Sequence, residues 1–159
     1  MLNDMLSDFE FLFYLLPKVL VATICGLLVG YERELKQKVA GIRTNILICV
    51  GCAILTSISF YLSKENPAVD PTRIIGQIIT GIGFLGAGVI VKNDDKIVGV
   101  TTAAFIWIIS SIGILIGTIS SILIPIILTI GLLVISYIFG KFENYLKKVK
   151  IEKIEQNRD

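Results

Sequence analysis

Histidine is absent from the 159 residues, methionine occurs twice, tryptophan once, and charged side chains make up only 18% of the chain. Without imidazole the chain lacks the commonest general base and the commonest metal ligand. The shortage of charge argues against a water-soluble domain, in which about a quarter of residues are charged. Cysteine is scarce as well. Cys25, Cys49 and Cys52 all lie in apolar runs with no soluble Cys or His nearby to complete a zinc set, so no metal site and no cofactor is implied. Cys49 and Cys52 form a CxxC by count, and inside an apolar helix they read most simply as small packing residues. A net charge of +2 gives no reason to expect a nucleic-acid partner. No nucleophile, base or metal set stands out, so no catalytic residue is assigned and the chain does not read as an enzyme.

What is present in excess is apolar length. Hydrophobic residues make up 54% of the chain, in several runs long enough to cross a bilayer. The expected fold is all-α, a polytopic membrane helix bundle with spans at about 12–31, 44–62, 74–91, 101–117 and 122–140. Together these make a membrane domain over 1–140, followed by a short basic tail over 141–159. The start, MLNDMLSDFE, is acidic and no small-residue cleavage site follows the first run, so that span is expected to stay.

Basic residues set the expected orientation. Arg33, Lys36, Lys38 and Arg43 fall in the first loop, Lys92 and Lys96 in the third, and a run from Lys141 to Arg158 in the tail. Only Lys64 and Arg73 fall between spans on the opposite side. The positive-inside rule then places the N-terminus outside and the C-terminus in the cytoplasm. Lys18 lies within the first span. It either snorkels to the interface or faces the bundle and pairs with an acid. A helix starting near Phe9 is favoured over one opened by Pro17.

The stretch 70–104, DPTRIIGQIITGIGFLGAGVIVKNDDKIVGVTTAA, is expected to organise the rest. Asp70 and Pro71 read as a helix start. Glycines at 76, 81, 83, 86 and 88 each cost a helix interior roughly 1 kcal/mol, so close backbone approach is the expected gain. On a helical wheel Gly76, Thr80, Gly83 and Ala87 form one small stripe flanked by Gln77, Gly81 and Gly88. Ile78, Ile82, Leu85 and Val89 fall opposite. The small face, with Gly86 included, is expected to pack on a neighbouring helix or a partner, and the aliphatic face on lipid. The helix would be central. Two GxxxG pairs, Gly26 with Gly30 and Gly113 with Gly117, lend weaker support to tight crossings. Thr44 or Asn45 is expected to cap the second span and Thr101 the fourth. Residues 91–100 read as a small hairpin turning at Asn93, Asp94 and Asp95. Those two aspartates suggest a divalent ion but fall short of its oxygen set.

Four blocks carry a wider resemblance: GLLVGYERE (26–34), AGIRTN (40–45), DPTRIIGQIITGIGFLGAGVI (70–90) and VGVTTAAFIW (98–107). In order and spacing they resemble the MgtC/SapB family of bacterial inner-membrane proteins, over about 26–117. The resemblance implies a five-helix domain in the bacterial plasma membrane and a link to magnesium limitation. In pathogens it implies a role in virulence, where a family member restrains the proton-driven ATP synthase. The ACT-like domain that many members carry after the membrane part has no counterpart up to Asp159. The chain is either a short form or a piece of a longer one. Positions matching the family pattern include Glu32, Arg33, Gly41, Arg43, Thr44, Asp70, Arg73, Gln77, Gly99, Thr101 and Thr102. Of these, Glu32, Arg33, Arg43, Asp70, Arg73, Gln77, Thr101 and Thr102 are the candidate polar functional residues. Two functions compete. One is a regulatory protein that docks other membrane proteins, or copies of itself as a homo-oligomer, within the lipid bilayer. The other is a transporter or channel for magnesium or a small solute, with Asp70, Arg73, Gln77 and Lys18 along its path.

Overall fold

The structure is a computed structural model that describes residues 2–93 and 96–156. Its elements in order are α1 (Leu2–Leu35), α2 (Ile42–Glu65), α3 (Thr72–Gly88), β1 (Val91–Asn93), β2 (Lys96–Val98), α4 (Val100–Thr118) and α5 (Leu123–Gln156). The all-α expectation holds, with five helices among the described residues. Among the described residues four stretches are long and apolar enough to cross a membrane: Phe9–Leu35, Ile42–Lys64, Val100–Thr118 and Leu123–Lys150. The remaining helix, α3, has 17 residues. At 1.5 Å per residue it is about 25 Å long, against a hydrocarbon core of about 30 Å. The chain divides into two compact units, one reaching Thr129 and one starting at Ile130.

In the first unit α2 is held between two glycine seams, and here the GxxxG pairs prove to be structural. A methyl on Gly26 would stand 2.6 Å from the Ile46 Cα, and one on Gly30 would stand 2.6 Å from the Ile42 Cα. Real side chains do not approach backbone that closely, so only glycine lets α1 lie against the start of α2. On the other face of α2, a methyl on Gly113 would stand 2.5 Å from the Cys49 carbonyl oxygen, and one on Gly117 would run into the Thr56 side chain. Cys49 and Cys52 are therefore buried packing residues of the α2–α4 seam, as their apolar setting suggests. The core follows from these crossings. Ala22, Cys25, Val29, Ala53, Ile106 and Ile109 are all buried.

The glycine-rich helix is not the centre. α3 packs chiefly on α4 and touches α2 less, and it turns inward the side expected to meet lipid. Its buried residues are Ile78, Ile82 and Gly86, one ridge at four-residue spacing. Nothing lies within 4 Å of a methyl built on Gly76, Gly81, Gly83 or Gly88, and Thr80 and Ala87 are exposed. Of the glycines on that face only Gly86 has a close neighbour: a methyl there would stand 3.7 Å from the Ala103 Cβ. The physical reason is that both faces of this helix are apolar. Burying Ile78 and Ile82 on α4 gains dispersion contacts that a glycine face cannot offer.

The helix ends differ from expectation in detail. α1 closes in a Schellman-type turn: Gln37 takes φ 52°, its N–H donates to the Glu34 carbonyl at 2.9 Å, and the Lys38 N–H donates to the Arg33 carbonyl at 3.0 Å. α2 starts at Ile42, earlier than expected, with no cap from Thr44 or Asn45. Instead the Glu34 carboxylate accepts from the Ile42 N–H at 3.3 Å. α3 does start at the Asp70 signal, where the carboxylate accepts from the Thr72 N–H at 2.9 Å and its hydroxyl at 2.7 Å. The hairpin expected over 91–100 is present, with Val91 opposite Val98 and Asn93 opposite Lys96. Asp94 and Asp95 lie outside the described residues. α4 begins without a bond from Thr101: Gly99 precedes it at φ 93°, and a methyl there would collide with the Val89 carbonyl. Pro17 lies inside α1, so it does not open the helix.

The second unit, from Ile130, is the continuing part of α5, helical to Gln156. Lys147 pairs with Glu143 at 2.6 Å, and Lys141 stands 4.8 Å from the Tyr137 ring centre.

Candidate functional site

Arg33 is 2% exposed near the end of α1. It engages its own neighbour: Nε donates to one Glu32 oxygen at 2.6 Å and Nη2 to the other at 3.2 Å. Lys36 also pairs with that carboxylate. The guanidinium carbon also stands 3.9 Å from the centre of the Phe105 ring of α4, a cation–π contact. Thr102, one turn before Phe105, is buried too. From α2, the Asn45 amide donates to the carbonyls of Ala40 and Gly41, each at 2.8 Å. Arg33 Nη1 and Asn45 Oδ1 are buried without hydrogen-bond partners. Arg33 of α1 thus meets Phe105 of α4 in the core beside a partly exposed Glu32, and Asn45 of α2 carries a second buried polar atom without a partner.

The other expected polar residues are placed elsewhere. Arg43 and Thr101 are exposed, and among the described residues Arg43 makes no ion pair. Asp70 and Arg73 stand exposed at the start of α3. Gln77 is exposed on α3 and borders an open apolar groove of about 660 Å³ between α2 and α3, with Leu55, Ile74 and Ile78 among its walls. The hydrogen bonds from Thr72 hold the Asp70 carboxyl below the ordinary aspartate value.

Lys18 settles differently from either expectation. It is buried and faces the core but meets no acid among the described residues: its ammonium donates to the Gly117 carbonyl at 2.5 Å and the Tyr14 hydroxyl at 3.1 Å. Phe105, Asn45 and Tyr14 are not singled out as site residues by the sequence. Asn45 had a signal, as a polar residue at a span start. Phe105 had none, since an aromatic in an apolar run has no distinguishing feature. Among the described residues no three His, Cys, Asp or Glu side chains converge.

The MgtC family profile matches residues 19–145, a range that takes in Arg33, Asn45, Thr102 and Phe105. A protein of Escherichia coli K12 named putative magnesium transporter YhiD is 42% identical over 110 residues, covering 66% of this chain and 51% of that one. Protein SapB of Bacillus subtilis is 42% identical over 109 residues, covering 65% and 47%. Protein MgtC of Brucella abortus is 42% identical over 96 residues, covering 60% and 39%. The chain spans about half the length of the curated relatives it matches. No solved structure matches it.

Proposed function

Because the chain belongs to the MgtC family, we propose that it is a multi-pass protein of the bacterial plasma membrane that serves adaptation to low magnesium, and in a pathogen virulence, by docking another membrane protein. The observation that carries this reading is the uncovered small face of α3. Gly76, Thr80, Gly81, Gly83, Ala87 and Gly88 are exposed, on a chain whose two GxxxG pairs are both consumed by internal crossings. Exposed glycines in a helix interior cost about 1 kcal/mol each against alanine. They leave a face on which a second helix can approach backbone to backbone. The proton-driven ATP synthase, implied as a partner by the family resemblance, is the first to test. The basic-residue pattern supports an N-terminus outside and a C-terminus in the cytoplasm.

The test is crosslinking from the α3 face in native membranes, with Gly83→Leu as the blocking variant. Loss of a specific crosslinked membrane protein together with loss of growth at low magnesium supports docking. A Gly83→Leu chain that grows like wild type and keeps its crosslinks sinks it. A second reading, magnesium transport, is favoured by the name of the Escherichia coli relative. Saturable Mg²⁺ flux through liposomes holding only the purified chain would establish it in place of docking.

A further inference from the structure

We propose that the pocket beside Lys18 binds the phosphate of an anionic membrane lipid. The pocket, of about 220 Å³, lies between α1 and the connection from α4 to α5. Its polar lining is Lys18, Tyr14, Ser120 and Ser121, and Phe13, Pro17 and Ile122 contribute apolar walls.

Lys18 is 8% exposed, so its ammonium has given up most of its water. An ammonium carries three N–H donors, and two are taken by the Gly117 carbonyl and the Tyr14 hydroxyl. Both acceptors are neutral. Across the same phenol ring stands a second cation: Lys18 Nζ is 4.4 Å and Lys64 Nζ 5.2 Å from the Tyr14 ring centre. Among the described residues neither lysine pairs with a carboxylate. A buried charge without a counter-charge is costly, and the exposed Lys64 adds a second positive charge close to the buried one. An anion in the pocket would take the third N–H of Lys18 and could accept from the Ser120 and Ser121 hydroxyls.

The shape favours a lipid over a free ion. A volume of 220 Å³ holds a phosphate with part of its glycerol but no acyl chain. The rim supplies what the tails need, since Phe13 is 73% and Ile122 51% exposed. A charged, hydroxyl-lined interior with an apolar rim matches an amphiphile.

The experiment is native mass spectrometry of the purified full chain in detergent, titrated with dioleoyl phosphatidylglycerol, with dioleoyl phosphatidylcholine, or with inorganic phosphate. Wild type should retain one phosphatidylglycerol about tenfold more tightly than phosphatidylcholine, the scale of one charge-assisted hydrogen bond. Lys18→Met should erase that preference and leave phosphatidylcholine retention unchanged. Since Lys18 also holds the end of α4, a second variant guards against misfolding: Ile122→Glu places a carboxylate at the rim without touching the Lys18 hydrogen bonds, and it too should erase the preference. The proposal is overturned if both variants keep the phosphatidylglycerol preference, or if inorganic phosphate binds through Lys18 while the lipid shows no preference.

Discussion

Gln37 sits at φ 52°, a left-handed conformation taken up to close α1. For a residue with a Cβ this costs about 1–2 kcal/mol, and the two turn hydrogen bonds offset it. Gln37→Gly should therefore raise the melting temperature in detergent, a gain of roughly 0.5–1 kcal/mol after glycine's own entropic cost. Arg33 makes the opposite case: Arg33→Lys keeps the charge but loses the guanidinium contact with Phe105 and the two-point hold on Glu32, and should destabilise by about 1–2 kcal/mol. Phe105→Leu should make that loss smaller when the two changes are combined, since they share one interaction. Asp70 supplies a pH test. Its folded-state pKa is depressed by the Thr72 hydrogen bonds, so its contribution to the start of α3 is present above the ordinary aspartate value of about 3.9 and fades as pH falls through the lower folded value. Hydrogen exchange in the first turn of α3 should be faster in Asp70→Ala than in wild type at neutral pH and converge with it in strong acid. The Asp70 start was legible because its signal is local. The Lys18 contact was not, since a backbone carbonyl on α4 leaves no mark in the sequence.

At the scale of elements, glycine has two opposite uses here. On α1 and α4 it admits α2, and Gly26→Ala or Gly113→Ala should each cost more than the 1–3 kcal/mol typical of overpacking, because the clashing atoms are backbone and cannot change rotamer. On α3 a methyl at Gly83 meets nothing, so Gly83→Ala should stabilise the isolated chain by up to about 1 kcal/mol. Melting curves of the three variants in one detergent check the contrast. Spacing marked all these glycines alike. In a helix apolar on every side, periodicity shows which residues share a face but not which face has a neighbour within the chain. The family blocks fared similarly: YERE and TTAAF do bring Arg33, Thr102 and Phe105 to one buried end, while Arg43 and Thr101 of adjoining positions point outward.

At the scale of the molecule, helix number could be read directly, because apolar length is a bulk property that survives local error, whereas α1 and α5 run on beyond their apolar stretches, to Leu2 and Gln156. A reporter fused after Asp159 should read cytoplasmic if the basic-residue bias governs insertion. The position of α2 between its two glycine seams also bears on how the protein is made. Its α1 seam can close as soon as α2 leaves the ribosome, since the two helices are consecutive. Its other seam must wait for Gly113 and Gly117, which are synthesised only after α3 and the hairpin. During that interval Cys49 and Cys52 lack the α4 neighbours that cover them in the finished fold. A nascent chain arrested before Gly113 should therefore react with a membrane-permeant maleimide at both thiols, and the finished chain should resist it, so that protection of this cysteine pair marks the moment at which α4 locks onto α2.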